Sequence, residues 1–367
     1  HIRLKDGRHV VIDGQSQAPA AATPDMFEPI SDALPLRLET AGRKNAIGPL
    51  ATATAGNLRA WTHALETYGT ASLGDAMAAA IRHAERGFHV TPYLAECVAE
   101  CAADLALDPA IAALFLPDGQ PIQAGRRLLQ PAYAETLKTI AREGPGALHG
   151  GAIGQAVAAY LAAHGGVLTL ADLSDYAIIE RTAVSGTYRD MTIVGPPPPA
   201  SGGVHVIQML NILEGFDLKG MGYGSADATH LLAEAMKIAF ADRDAATGDP
   251  AFLDVPVARL IDKAYAAERR AGIDLTRAQA WSAGVEPARE GAHTTHMTAI
   301  DRDGAVVVAT HTINSLFGAR YIIGETGMIA NNYMHLFDPH PGRALSIAPG
   351  KRVPTSMAPI MGVRNNE

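Results

Sequence analysis

The strongest constraint on the fold is a change in hydrophobic period late in the chain. Up to about residue 290, apolar residues recur at helical spacing, as in SLGDAMAAAIRHAERG and SADATHLLAEAMKIAFADRD. From THMTAIDRDGAVVVATH onward, apolar and polar residues alternate as they do in strands. With no internal repeat, this succession of helices and then strands predicts an α+β layered architecture.

Local signals predict individual elements. Residues 1–13 resemble a hairpin, and TLADLSDY begins like a helix with Thr169 as its N-cap. VSGTYRDMTIVG predicts two short strands, and THMTAI and VVVATH predict two more that meet at a turn containing Gly304. ARYIIGETGMIANN and APIMGVR are strand-like as well. Residues 275–293 are polar and without periodicity, which predicts an exposed linker.

Composition excludes several classes of protein. Of 367 residues, 48% are hydrophobic and 19% charged, enough for a sizeable core. The net charge of −8 argues against a nucleic-acid partner. The absence of an apolar run of 18 residues argues against a membrane span. Both ends resemble the interior of a domain, so we expect truncation, and the compartment, periplasmic or cytoplasmic, stays open.

Neither cofactor nor metal is expected. The 14 histidines show no metal-binding spacing, and the glycine-rich stretches lack the lysine of a phosphate loop. Cys97 and Cys101 are four residues apart in a predicted helix, which favours two ordinary thiols over a metal site or a disulfide.

The junction between the linker and the first late strand carries the chemistry. Threonine is common in strands, so Thr294 is unremarkable by its position alone. A threonine hydroxyl becomes a useful nucleophile when its own free α-amine acts as the base. Cleavage of the chain before Thr294 would create that amine, and an accessible linker next to a rigid strand suits such a cut.

The segment TTHMTAIDRDGAVVVATHTINSLFGARYIIGETGMIANN resembles the start of the small subunit of γ-glutamyltranspeptidases. The similarity continues in DGQSQAPAAATPDMF, GPPPPASGGVHVIQMLNILEGFDL and KRVPTSMAPI, and it covers essentially the whole chain. It implies a four-layer αββα N-terminal-nucleophile hydrolase with one intertwined catalytic domain. It also implies a proenzyme that cuts itself between His293 and Thr294 into a mostly helical portion, 1–293, and a mostly stranded portion, 294–367. Homo-oligomers of the processed heterodimer are possible.

Residue by residue, the resemblance implies a site. Thr294 matches the catalytic nucleophile and Thr312 the second threonine, whose hydroxyl supports it. Asn314 matches a side chain that contacts the substrate, and Thr355 and Ser356 match a Ser-Ser pair near the substrate carboxylate. The family's Gly-Gly turn corresponds to Gly202 and Gly203, for which a tight turn into a helix is the simpler explanation. Oxyanion donors of the family are expected beyond Glu367.

Two positions depart from a γ-glutamyl enzyme. The family's arginine for the α-carboxylate corresponds to Gln15, and its acidic residue for the α-ammonium corresponds to Leu336, with Tyr333 as the neighbouring polar contact. The loop between Phe337 and Lys351 is short, from which we expect a more open pocket. We therefore predict an amidohydrolase or acyltransferase acting on a small-molecule amide. A true glutathione or γ-glutamyl hydrolase-transpeptidase, and a catalytically silent paralogue, remain as alternatives.

Overall fold

A computed structural model describes residues 1–33, 35–282 and 294–364. Its strands, within these residues, are β1 (Ile2–Arg3), β2 (His9–Asp13), β3 (Phe88–His89), β4 (Arg127–Leu128), β5 (Ile179–Arg181), β6 (Val184–Tyr188), β7 (Met191–Gly195), β8 (Thr295–Ile300), β9 (Val306–His311) and β10 (Met361–Val363). They form a five-stranded sheet in the order β5-β2-β1-β9-β8, a three-stranded sheet β10-β7-β6 and the pair β3-β4. The paired strands are antiparallel throughout.

Helices pack on the five-stranded and the three-stranded sheets. The α-helices of the described residues are α1 (Asn57–Tyr68), α2 (Leu73–Arg86), α3 (Pro92–Leu105), α4 (Pro109–Phe115), α5 (Pro131–Glu143), α6 (Ala152–Ala163), α7 (Leu170–Asp175), α8 (Gly202–Leu213), α9 (Leu218–Met221), α10 (Ala226–Ala246), α11 (Val257–Leu260) and α12 (Lys263–Ala271). α8 packs on β6 and β7, α10 and α12 pack on α8, and α1 contacts β2. The result is the predicted succession of helix, sheet, sheet and helix layers.

Several local predictions are confirmed. Residues 1–13 form the hairpin β1-β2, and VSGTYRDMTIVG forms β6 and β7. Thr169 caps α7 in a reciprocal capping box with Asp172: the side chain of each residue accepts a hydrogen bond from the backbone N–H of the other, at the N-terminus of the helix. The turn between β8 and β9 contains Gly304 at φ 81°, a left-handed conformation that glycine adopts at little cost. β10 is the strand predicted in APIMGVR.

One local prediction is wrong. ARYIIGETGMIANN contains no strand, only the isolated bridge between Ile322 and Ile329 around a 3-10 turn at Gly324–Thr326. The described part of the predicted exposed linker, 275–282, is mostly exposed, as expected. It is anchored at Trp281, whose Nε1 donates to the buried carboxylate of Glu234 at 2.5 Å. The rest of that linker lies outside the described residues.

The helices show no membrane-spanning segment among the described residues, since none is both long and apolar enough. The two cysteines lie in α3, buried and unbonded to each other, as the helical spacing predicted. Among the described residues no cluster of three metal-ligating side chains occurs.

Candidate active site

The two predicted catalytic threonines flank the end of the hairpin β8-β9. The last pair of its antiparallel ladder is Thr295 with His311, and Thr294 immediately precedes this pair on one strand while Thr312 immediately follows it on the other. Thr294 is exposed and immediately precedes β8. His293, on the other side of the predicted cut, lies outside the described residues.

One face of the hairpin contacts, at Val308 and its neighbour His1, the segment that leads into β10. Alternation puts His296 and Thr310 on the same face, and His296 Nδ1 lies 2.9 Å from Thr310 Oγ1. Further along this face Val308 is buried. Its N–H donates to His1, whose ring lies 2.8 Å from the carbonyl of Pro359, just before β10. This contact lies four positions before Thr312 on β9, whereas all residues of β8 are exposed.

The opposite face of the hairpin is held by α1. Trp61 Nε1 donates to His311 Nδ1 at 3.1 Å, and His311 Nε2 lies 3.4 Å from the sulfur of Met297. An indole N–H can only donate, so the proton of the neutral imidazole is on Nε2. Burial lowers the pKa of His311, which keeps the ring neutral at physiological pH. This contact fixes the position of β9 one residue before Thr312.

Thr312, Asn314 and Tyr333 meet in one cluster. The backbone N–H of Asn314 donates to Thr312 Oγ1 at 2.9 Å, and the hydroxyl of Tyr333 donates to the carbonyl of Thr312 at 3.1 Å. Asn314 has φ 78°, a conformation that asparagine tolerates better than most residues. Its Nδ2 donates to the carbonyl of Asn332 at 3.3 Å. Thr312 and Asn314 thus lie in the turn after β9, and Tyr333, at the start of the 3-10 helix Tyr333–Leu336, contacts that turn.

Gln15 and Thr355 also contact each other. With its amide oriented to satisfy both ends, Gln15 donates from nitrogen to the carbonyl of Val353 at 2.7 Å and to Thr355 Oγ1 at 3.2 Å. Its oxygen accepts from the N–H of Ala200 at 3.3 Å. Next to Thr355, the hydroxyl oxygen of Ser356 is buried and has no hydrogen-bond partner. Buried hydroxyls are rarely left unpaired outside functional sites.

Backbone contacts connect the two clusters. Gln17 bridges Thr54 on one side and Arg352 on the other. Beside Thr54, the N–H of Ala53 donates to Asn331 Oδ1 at 3.1 Å, and the same oxygen accepts from the N–H of Tyr333. The Gln15–Thr355 contact and the Thr312–Tyr333 contact therefore belong to one continuous assembly.

Sequence reasoning missed the buried ion pairs beneath Gln15. Arg352 Nη1 lies 3.2 Å from Asp13 Oδ1 and 3.0 Å from the hydroxyl of Tyr176. Arg181 Nε lies 2.7 Å from the other oxygen of Asp13. Burial raises the pKa of Tyr176 to about 12, so its hydroxyl stays protonated and donates to the carbonyl of Gln15 at 2.7 Å. These partners lie far apart in sequence, and no local motif signals them.

The short loop after Tyr333 is closely packed rather than open. Leu336 packs against an apolar cluster that contains Phe337 and Ile347. Asp338 accepts from Arg343 Nη1 at 3.2 Å within the loop. Lys351 Nζ donates to the carbonyls of Ala344 and Ser346 at 2.7 and 2.8 Å. The expected open pocket therefore does not follow from the shortness of this loop.

Gly202 and Gly203 begin α8 and serve a close approach. A Cβ on Gly202 would lie 2.4 Å from the carbonyl oxygen of Met357, and one on Gly203 would lie 2.2 Å from that of Pro196. Any side chain here would push α8 away from the segment that carries Thr355 and Ser356. The two glycines thus have the structural role that the sequence favoured, as the entry to a helix.

The sequence profile of the γ-glutamyltranspeptidase family matches residues 1–367. The chain belongs to this family. It is 59% identical to the acylase ACY 1 proenzyme of Pseudomonas sp. (strain V22), over 99% of the chain and 65% of that protein. It is 36% identical to the glutathione hydrolase proenzyme of Escherichia coli (strain K12), over 100% of the chain and 64% of that protein.

Solved structures of the family share the fold. The crystal structure of cephalosporin acylase from Bacillus halodurans superimposes with a TM-score of 0.84 at 26% identity, covering 97% of this chain and 64% of that one. The predicted four-layer N-terminal-nucleophile fold is thereby confirmed. The chain spans just under two thirds of the length of these relatives, 65% of the acylase and 64% of the hydrolase.

Proposed function

We propose that this protein is a self-processing amidohydrolase and acyltransferase whose nucleophile is Thr294. The observation that supports the proposal is the register of β8 and β9, whose last pair is Thr295 with His311: continued by one position, this antiparallel ladder would set Thr294 opposite Thr312. All residues of β8 are exposed, so an amide substrate can approach this end of the hairpin.

Cleavage of the peptide bond between His293 and Thr294 gives Thr294 a free α-amine. The amine takes the proton of the hydroxyl as the oxygen attacks an amide carbonyl. The amine of the substrate leaves with that proton, and an ester between the acyl group and Thr294 remains. Water or a second amine then resolves the ester. Thr312 supports the nucleophile, and Asn314 and Tyr333 form the adjoining wall of the site.

The residues around Gln15 favour an acyl group without an amino-acid head. The amide of Gln15 is already hydrogen-bonded to Val353, Thr355 and Ala200. Arg352 and Arg181, the guanidinium groups beneath it, both pair with Asp13. A free α-carboxylate of the substrate would lack a cationic partner here. Leaving one charge unpaired in a desolvated site costs about 2–5 kcal/mol of binding free energy. We expect Thr355 and Ser356 to contact the acyl group instead.

The second candidate is a γ-glutamyl hydrolase acting on glutathione. It is supported by the similarity to the Escherichia coli glutathione hydrolase proenzyme, which is 36% identical. The higher identity to the acylase ACY 1 proenzyme, 59%, favours the first candidate. A silent paralogue is disfavoured by the presence of Thr294, Thr312 and Asn314 together.

Intact-mass spectrometry of the full-length protein tests the nucleophile. Wild type should give two fragments that divide between His293 and Thr294, and Thr294→Ala should stay whole. Thr295→Ala is the matched control, an exposed threonine one residue further on, and it should be cut like wild type. An uncut wild type, or a cut Thr294→Ala, contradicts the proposal.

Three anilides then separate the two candidate activities. γ-Glutamyl-p-nitroanilide carries both charges of the head group, glutaryl-p-nitroanilide lacks the ammonium, and butanoyl-p-nitroanilide lacks both. We expect kcat/KM for at least one of the latter two to exceed that for the γ-glutamyl compound by about 30-fold or more, which corresponds to about 2 kcal/mol for one lost ion contact. The reverse order would identify a γ-glutamyl enzyme.

A further inference from the structure

The carbonyl oxygen of Thr355 accepts two hydrogen bonds from one serine. Ser201, at the N-terminus of α8, donates to it both from its backbone N–H at 2.8 Å and from its hydroxyl at 3.0 Å. Ala200 and Thr355 also form a parallel bridge. Ser201 is 3% exposed, so water does not compete for these bonds. The backbone between Thr355 and Ser356 is therefore held in place by Ser201 and Ala200.

A guanidinium completes the support. Arg243, near the end of α10, donates from Nε to the hydroxyl oxygen of Ser201 at 2.9 Å. A hydroxyl that accepts from a cation becomes a better donor, which strengthens its bond to Thr355. Arg243 is itself buried, with 6% of its side chain exposed, and lies 3.7 Å from the carboxylate of Asp244.

The support extends to the loop after Phe337. Arg37 Nη2 lies 3.1 Å from Asp244, and Arg37 Nε lies 3.8 Å from Asp338, with all three side chains at most 4% exposed. A buried charge network of this kind contributes little net stability but selects a single geometry. Here it links α10 and the loop to the segment that bears Thr355.

We propose that Ser201 and Arg243 are positioning residues that hold Thr355 and Ser356 in place for the acyl group of the substrate. The proposal rests on the proposed function, in which these two residues contact the acyl group. It explains why the hydroxyl of Ser356 is buried without a partner. The support fixes the backbone from which that hydroxyl extends, and the hydroxyl is available for a ligand atom.

Ser201→Ala tests the proposal gently, because the N–H of residue 201 keeps its bond to Thr355. We expect KM for the preferred anilide to rise on the order of three- to tenfold, the loss of one hydrogen bond. We expect kcat and self-cleavage to be unchanged, since Thr294 is not touched. Ser225→Ala is the matched control, since its hydroxyl caps α10 and has no contact with Thr355. An equal change of KM in both variants overturns the proposal.

Arg243→Lys shows whether the arginine acts through Ser201. A lysine keeps the charge beside Asp244 but cannot reproduce the directed Nε bond. If the serine transmits the effect, the double variant has the KM of Ser201→Ala alone, whereas additive increases would contradict a shared path.

Hydrogen exchange of the peptide 352–358 gives a readout that does not depend on turnover. Exchange should be faster in Ser201→Ala than in wild type and Ser225→Ala. Unchanged exchange overturns the positioning role. Failure of wild type to hydrolyse any anilide would instead contradict the proposed function and leave the exchange result to decide the role of Ser201.

Discussion

Thr312 lies one residue beyond β9, and its hydroxyl accepts from the N–H of Asn314 at 2.9 Å. Thr312→Val keeps the branched shape but removes this acceptor and the hydroxyl beside Thr294. We expect acyl transfer to slow by about 10²-fold, the usual cost of losing one polar group that acts on the transition state. The measurement is kcat with the preferred anilide, on protein whose cleavage before Thr294 has been confirmed by mass spectrometry.

Thr310→Val is the control for that experiment. Thr310 lies on the same face of the same strand, but its hydroxyl contacts His296. A loss of activity as large in Thr310→Val as in Thr312→Val would show that the hairpin needs polar side chains in general, and the specific role of Thr312 would be withdrawn.

Gln15 connects three segments that are distant in sequence, through Val353, Thr355 and Ala200. Gln15→Leu has a similar volume but leaves the N–H of Ala200 and the carbonyl of Val353 without their partner. We expect the free energy of unfolding to fall by about 2–4 kcal/mol, since each buried unpaired group costs about 1–3 kcal/mol. Urea unfolding measures it, and Gln155→Leu on the exposed side of α6 should change stability by less than about 0.5 kcal/mol.

At the scale of elements, the hairpin β8-β9 depends on α1 for its position. Trp61→Phe keeps a ring in place but removes the N–H that binds His311. We expect self-cleavage before Thr294 to slow by about three- to tenfold, because one hydrogen bond that orients the hairpin is lost. Tyr68→Phe, which removes one hydroxyl bond from the same helix to Glu180, should leave the rate unchanged. Equal rates in wild type and Trp61→Phe would refute the role of this contact.

The elements that could be predicted are those whose signals are local. The capping box of α7 uses Thr169 and Asp172, which are three residues apart, so a short stretch of sequence is enough to predict it. The segment 319–331 shows the opposite case. Its apolar residues, three of them consecutive from Tyr321 to Ile323, belong to two cores: Tyr321 and Ile323 pack with α6, while Ile322 and Ile329 pack with α3 and α4. The segment is apolar because both of its sides are buried, and apart from the bridge between Ile322 and Ile329 it adds no strand to a sheet.

At the scale of the whole molecule, the candidate site joins segments from both ends of the chain. Family resemblance pointed to Gln15, Thr312 and Thr355, and the ladder of the hairpin ends on the pair that separates Thr294 and Thr312 from their strands. The support behind them was not predictable, because Arg352 binds Asp13 across 339 positions of sequence. Residues that pair over such a distance follow no sequence period and form no local motif. Their pairing is visible only once the packing of the sheets and helices is known.

Stability against acid is a property of this packing, and His205 makes it testable. His205 belongs to α8, and its ring lies between Gln208 of the same helix and Thr247 at the end of α10, at 2.7 and 2.8 Å. Burial lowers the pKa of His205 from 6.5 to about 4. Between these two values the unfolded chain binds a proton that the folded protein does not. The free energy of unfolding therefore falls as the pH drops from about 6.5 to about 4, by on the order of 3 kcal/mol from this residue.

His205→Gln removes that proton while keeping a polar side chain between Gln208 and Thr247. We expect the variant to be less stable than wild type at pH 8, because one amide cannot reproduce both hydrogen bonds of the ring. We also expect its free energy of unfolding to fall less steeply than that of wild type between pH 6.5 and 4. Thermal unfolding at several pH values measures both effects. His164→Gln, at an exposed position after α6, should run parallel to wild type. If His205→Gln also runs parallel to wild type, the imidazole of His205 is not the group that couples folding to protons in this range, and the remaining buried groups of the interface between α8 and α10 would have to carry the coupling.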